Sequence, residues 1–216
     1  MSNKQNLIAV MDIGSSKLSC MQCLKESNGL TKVLGSSIIA TQGIKSGIIT
    51  DFNLASDCIS KVISECEEQS NENIKELSVS ISSHQCFTKP IDSKIKLRDE
   101  KVSQIDIKLC TDKALESSYL LDKKVLHISP TDYIIDQAGG ITNPIEMYGN
   151  ELEMKFLVTY IGINHYKNYV HAITTSNIDV HRIVFSNYAA GFAVLNENEL
   201  ELGSVIVDMG ARTTSL

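Results

Sequence analysis

The chain has 216 residues, 43% of them hydrophobic and 21% charged, with a formal net charge of −6 at pH 7. That composition excludes a disordered polar chain, and an acidic balance without a basic cluster argues against a nucleic-acid partner. No stretch reaches the ~18 apolar residues of a spanning helix, and the short run from Leu7 to Met11 is no secretory leader, so a cytoplasmic chain is expected.

The hydrophobic pattern predicts the elements in chain order. Leu7 to Asp12, Lys17 to Leu24 and Lys32 to Thr41 read as strands, joined by Gly14-Ser15-Ser16 and Glu26-Ser27-Asn28-Gly29, both good hairpin chemistry. Ile44 to Asp51 reads as a glycine-punctuated loop and Asn53 as a helix cap. Leu54, Cys58, Val62, Ile63 and Cys66 recur at helical spacing, which predicts an amphipathic helix over 54–69. Leu77, Val79 and Ile81 alternate in a half-buried strand from Glu76 to Ser82. Three strands, a helix and a strand make one layered α/β unit.

Beyond Ser83 the pattern changes. Cys86 to Leu97 reads as a strand pair or one bent strand, at an edge because it contains Pro90. Ser103 and Asp106 resemble a capping box with Asp in place of Glu, ahead of a helix with Ile107, Cys110, Ala114 and Leu121 on one face. Val125 to Ser129 and Tyr133 to Asp136 read as two strands. Glu151 to Ile161 alternates Leu152, Met154, Phe156, Val158 and Tyr160. This strand-helix-strand-strand stretch reads as a unit inserted between two parts of the first domain. A helix from Asn164 to about Ser176, a strand from Asp179 to Phe185 and a helix from Asn187 to Leu195 follow. That helix carries the small run Ala189-Ala190-Gly191, which suits a helix crossing under a cleft and equally an ordinary helix that carries Ala, and a last strand runs from Ser204 to Met209. The chain stops within the hairpin that this strand opens, and so reads as an N-terminal fragment.

One short pattern occurs twice. Ala9-Val10-Met11-Asp12-Ile13-Gly14-Ser15-Ser16-Lys17 and Val205-Ile206-Val207-Asp208-Met209-Gly210-Ala211-Arg212-Thr213-Thr214 both end an apolar, buried-looking strand in Asp, then an apolar residue, Gly, and small or hydroxyl residues. Such a turn offers backbone N–H groups to phosphate oxygens. An Asp at the strand end holds Mg²⁺, usually through water. A lone copy is an ordinary strand-to-turn junction, whereas two copies suggest hairpins facing each other across a nucleotide. Neither the P-loop pattern nor the Gly-x-Gly-x-x-Gly turn is present. The six cysteines are expected to be reduced thiols, and no metal centre is expected from Cys20-x-x-Cys23, whose residues point to opposite faces of a strand, or from the scattered histidines.

The paired hairpins resemble those of the actin, Hsp70 and sugar-kinase superfamily. A second, more specific string runs from Val125-Leu126-His127-Ile128-Ser129-Pro130 through Tyr133 and Asp136 to Gly140-Ile141-Thr142-Asn143-Pro144 and Gly149. With Gly43-Ile44-x-x-Gly47 and Leu202-Gly203, it is similar to the N-terminal half of the FtsA family. The resemblance implies an actin/Hsp70-like (ribonuclease H-like) α/β fold. Residues 1–83 plus 165–216 would form subdomain 1A, and 84–164 an inserted strand-helix-strand-strand (SHS2-like) subdomain 1C. It implies ATP as ligand, with Asp12, Gly14, Ser15, Ser16 and Lys17 on one side of the phosphates and Asp208, Gly210, Thr213 and Thr214 on the other. Asp12 and Asp208 would act on Mg²⁺ through water.

The resemblance further implies a cell-division protein that polymerises with itself, tethers FtsZ to the inner membrane and recruits later division proteins through the insertion. FtsZ contact and membrane attachment would belong to a second domain and a C-terminal helix outside this chain, and the chain alone is expected to bind ATP poorly. The second loop departs from the family's Gly-Gly-Gly-Thr, reading Gly210-Ala211-Arg212-Thr213, and Ser215 stands near a place the family often gives to an acidic residue. ATP binding with at most weak ATPase activity is therefore expected. The alternatives are a sugar- or acetate-kinase type phosphotransferase, for which no second motif supplies a base, and a pilus-assembly actin-like ATPase.

Overall fold

In the computed structural model, which describes residues 7–117 and 122–216, the chain opens with an antiparallel meander. β1 (Leu7–Ile13), β2 (Lys17–Lys25) and β3 (Thr31–Ala40) pair in sequence order. Along β1 the period-two pattern buries Ala9, Met11 and Ile13 and leaves Ile8 and Val10 on the opposite face. β6 (Glu76–Ile81) then adds to β1 in parallel, and β10 (Asp179–Phe185) adds to β6 in parallel, giving the order β10-β6-β1-β2-β3. Between β3 and β6 the chain passes through a small hairpin, β4 (Ile44–Lys45) and β5 (Ile48–Ile49), where an irregular loop was expected. Ser46 and Gly47 both have positive φ, the two-residue turn whose twist suits a hairpin.

α1 (Phe52–Ser70) supplies the crossover that a parallel neighbour requires. Its cap is Asp51 and not Asn53: the Asp51 carboxylate accepts the Leu54 N–H at 3.1 Å from an extended backbone, the geometry of an N-cap. The helix therefore starts earlier than the spacing predicts, and its buried face is Ala55, Ile59, Val62, Ile63 and Cys66. Leu54 lies at the margin, 44% exposed. Burying each of the larger aliphatic side chains contributes about 2 kcal/mol. α3 (Ile163–Thr174) lies beside α1, with the His171 ring stacked 4.7 Å from Phe52 and hydroxyl bonds joining Ser56 to Thr175 and Ser60 to Ser176. Cys20 and Cys66 are buried where β2 meets α1, and burial pushes both thiols up, so they are inert core residues.

By its contacts the chain divides into two compact units: one holds the chain up to Cys86 and from Asn164 onward, the other Phe87–Ile163. The second unit contains β7 (Cys86–Lys96), α2 (Gln104–Ser117), β8 (Lys123–Ile135) and β9 (Glu151–Gly162), with sheet order β7-β9-β8. Leu152, Met154, Phe156 and Val158 form its core with Ile95, Val102, Cys110 and Ala114. The stretch predicted as two strands, 125–129 and 133–136, is the single strand β8. Pro130 cannot donate to a ladder, and the strand answers with a register shift between Pro130 and Asp132 before pairing resumes. Pro90 and Pro130 mark the two edge strands, which disfavours edge-to-edge pairing. Leu121 lies outside the described residues.

Two residues of the Val125 to Gly149 string have plain structural work. The Asp136 carboxylate accepts the N–H groups of Asn150 and Glu151 at 3.0 and 2.9 Å, which holds its pKa low. At Gly149 a Cβ would sit 2.2 Å from the Ile135 side chain. The predicted capping box also forms: the Ser103 N–H and hydroxyl both donate to the Asp106 carboxylate, at 2.9 and 2.5 Å. Asp106→Ala leaves both donors without that acceptor, and urea unfolding is expected to report a loss of about 1 kcal/mol. An unchanged midpoint would show that water replaces the carboxylate at no cost.

The chain closes with α4 (Ser186–Val194), α5 (Glu197–Leu202), β11 (Asp208–Met209) and β12 (Thr214–Ser215). The strand expected over 204–209 is laddered only at Asp208 and Met209, which pair with Ser215 and Thr214 in a separate two-stranded ribbon. Val205 and Val207, read as buried, are 82% and 50% exposed. Their apolar character is real, but no neighbouring strand among the described residues pairs with 204–207.

Candidate functional site

Both repeated motifs fold into the same turn. The Gly14 N–H donates to the Lys17 carbonyl at 3.1 Å, and the Gly210 N–H donates to the Thr213 carbonyl at 2.9 Å. A Cβ would stand 2.9 Å from that same carbonyl at Gly14, too close for the closure to hold unshifted, and 3.1 Å from it at Gly210, a tight contact. This commits the glycine N–H groups to the hairpins. It leaves the N–H groups of Ser15 and Ser16, and of Ala211 and Arg212, as the turn donors for an outside acceptor.

The first turn is braced from behind. Thr41 donates its hydroxyl to the Gly14 carbonyl at 2.8 Å and its N–H to the Ser16 carbonyl at 3.0 Å. The Gly47 N–H donates to Ser15 Oγ at 3.3 Å, so one hydroxyl of the motif already serves the fold. Ahead of the second turn, Ile206 comes close to α4, where a Cβ on Gly191 would stand 3.2 Å from its side chain.

Between the turns lies a cleft of ≈ 590 Å³. Asp12, Gly14, Ser15, Ser16, Lys17, Asp208, Gly210 and Thr213 line it. Thr214 pairs with Met209 and is not among the lining residues, and Arg212 is exposed outside it. The cleft opens at the carboxyl ends of the parallel strands β1 and β6, where ligands bind in open α/β sheets.

Of the third wall, sequence reasoning reaches only the small run of α4, which suits a helix crossing under a cleft; the serines are missed. Ser80 from β6, Ser82 just past its end, and Ser186, Ala189, Ala190 and Ala193 from α4 also line the cleft. Ser80 Oγ donates to Asp12 Oδ1 at 2.5 Å, and Ser186 Oγ donates to the same oxygen at 3.3 Å. Ser82 Oγ shares a hydrogen bond of 3.1 Å with Thr213 Oγ1. The available signal was the alternation of β6: Leu77, Val79 and Ile81 face the core, which turns Ser78, Ser80 and Ser82 to the other face.

The donor set fits magnesium with a polyphosphate. Two carboxylates, hydroxyls and backbone N–H groups are hard oxygen ligands and anion donors. Magnesium is bound through one or two carboxylates and substrate phosphates while it keeps several waters. Among the described residues no group of three or more His, Cys, Asp and Glu is placed to hold a metal ion by itself. Among them, too, no helix is long and apolar enough to cross a membrane.

Residues 85–160 match the model of the SHS2 domain inserted in FtsA. The cell division protein FtsA of Buchnera aphidicola (subspecies Schizaphis graminum) is 28% identical over 215 residues, covering 100% of this chain and 51% of that protein. FtsA of Streptococcus pneumoniae is 29% identical over 218 residues, covering 99% and 47%. FtsA of Buchnera aphidicola (subspecies Baizongia pistaciae) is 31% identical over 217 residues, covering 99% and 51%. The chain thus spans about half the length of the curated relatives it matches.

Among solved structures, a chain of the PilM-PilN type IV pilus biogenesis complex superposes with a TM-score of 0.56 over 86% of this chain and 49% of that one. At 8% identity this likeness is one of fold. The fold is the actin/Hsp70-like α/β fold with an inserted strand-helix-strand-strand subdomain. Along its length the chain resembles the N-terminal half of the cell division protein FtsA.

Proposed function

We propose that this chain carries the phosphate-gripping part of a magnesium–ATP site in an actin-like cell-division protein. Two turns of identical closure on one cleft carry this reading. The N–H groups of Ser15, Ser16, Ala211 and Arg212 hold phosphate oxygens, Lys17 supplies a cation at the rim, and Gly14, Gly210, Thr213 and Thr214 shape the two loops. Asp12 and Asp208 would hold magnesium through its waters. The metal would supply neutralisation of phosphate charge.

In the whole protein the nucleotide state governs self-assembly into filaments, tethering of FtsZ to the inner membrane and recruitment of later division proteins, the last through the inserted unit. The division relatives support this wider role. The inserted unit serves protein contact: His127, the histidine within Phe87–Ile163, sits half-buried in β8, where burial lowers its pKa.

The test is a titration of the isotope-labelled chain with Mg–ATP, read at the backbone amides. Saturable shifts at Ser15, Ser16, Ala211 and Arg212 are expected, with affinity in about the millimolar range because the cleft is open to water and salt. Adenosine should leave these amides unmoved. Shifts confined to another place, such as the groove beside His181 and Arg182, would overturn the assignment.

A further inference from the structure

We infer that Ser80 and Ser186 are positioning residues that lock the Asp12 carboxylate so that one chosen oxygen faces the metal shell. This rests on the magnesium–ATP reading above and assigns to β6 and α4 a role that the two phosphate turns do not contain. Both hydroxyls donate to the same atom, Oδ1, at 2.5 and 3.3 Å. The other oxygen, Oδ2, lies on the side of the Gly14 turn, 4.0 Å from where a Cβ on that glycine would stand. The division of labour follows: Oδ1 is anchored to the protein, and Oδ2 is presented to the cleft.

Such an anchor is needed on physical grounds. The torsion that turns a carboxylate about its Cβ–Cγ bond is broad and shallow, so an Asp at the mouth of a wet cleft has no preferred face of its own. Contact with magnesium through water requires direction, because a bound water must meet the carboxylate along a lone pair. A hydroxyl-to-carboxylate bond of 2.5 Å falls in the short, charge-assisted class and fixes that direction. Ser80 is also small enough to sit beneath the cleft without filling it. Just past the end of that strand, Ser82 bonds Thr213 of the second turn. β6 and the residue that follows it thereby reach both the metal-facing carboxylate and the opposite loop.

The test compares ATP affinity with and without Mg²⁺ for the wild-type chain, Ser80→Ala/Ser186→Ala and Ser80→Thr/Ser186→Thr. In the wild type, Mg²⁺ is expected to tighten ATP binding. The double alanine variant should lose about tenfold of that enhancement while its Mg²⁺-free affinity stays within about twofold, and the threonine pair, which keeps both hydroxyls, should recover it. An alanine variant with the full enhancement overturns the inference. So does one that loses affinity equally with and without the metal, since that marks a structural role. A wild-type chain with no ATP-dependent shift at the turn amides overturns the site reading as well, which separates the two failures.

Discussion

Asp12→Ala is expected to weaken Mg–ATP binding by more than tenfold, about 1.4 kcal/mol or more. The carboxylate ends β1 at the floor of the cleft, where two hydroxyls converge on it and the Gly14 turn rises beside it. Removing it takes away the charge proposed to face magnesium and leaves Ser80 and Ser186 without their common acceptor. Asp12→Asn separates these effects: the amide oxygen still accepts from both serines, but no negative charge remains for the metal. If the charge matters, Asn and Ala should lose similar Mg–ATP affinity while Asn keeps the stability of the parent in thermal unfolding. Calorimetry or the amide titration reads the first quantity. Unchanged affinity in both variants would remove Asp12 from the site.

The parts of this site that are legible in the sequence are those whose chemistry is local. Asp12 to Lys17 and Asp208 to Thr213 announce turns because glycine and hydroxyl residues follow an apolar strand within six positions, and both stretches close as hairpins. Ser80 and Ser186 carry no such mark. They stand 68 and 174 residues from Asp12, and only the parallel pairing of β1 with β6 and the placement of α4 bring them to it. A serine on the polar side of an alternating strand looks like any solvated serine until the neighbour strand is known.

The same distinction explains the misplaced elements. Asn53 and Asp51 are both good caps by type, and the backbone chose Asp51, whose extended conformation aims its carboxylate at the Leu54 N–H. The 125–136 stretch split in the reading because proline and turn residues interrupt it, while in the sheet β9 runs alongside without a break and holds both halves in register around the shift. Val205 and Val207 were read as buried from their apolar pattern. Burial needs a covering surface as well as an apolar side chain, and periodicity reports only the second.

Gly47→Ala is expected to destabilise the chain by roughly 3 kcal/mol, combining left-handed backbone strain with overpacking. Gly47 has φ +67° in the tight turn between β4 and β5, a conformation that costs an L side chain energy wherever it stands. Its Cβ would also lie 2.0 Å from the Ser82 carbonyl oxygen and 2.4 Å from Ser83 Cα, so the backbone itself must move. The displacement reaches the site by two routes. Gly47 donates its N–H to Ser15 Oγ in the first turn, and Ser82 holds Thr213 in the second. Gly29→Ala is the matched control, because Gly29 has φ +85° in a hairpin turn with nothing within 4 Å of the added carbon. It should cost only the backbone strain, about 1 kcal/mol, and leave the Mg–ATP shifts intact. Urea unfolding followed by circular dichroism gives both stabilities, and the amide titration gives both affinities. Equal losses for the two variants would mean that the β4–β5 turn yields freely against the end of β6. In that case the small hairpin does not brace the two glycine turns.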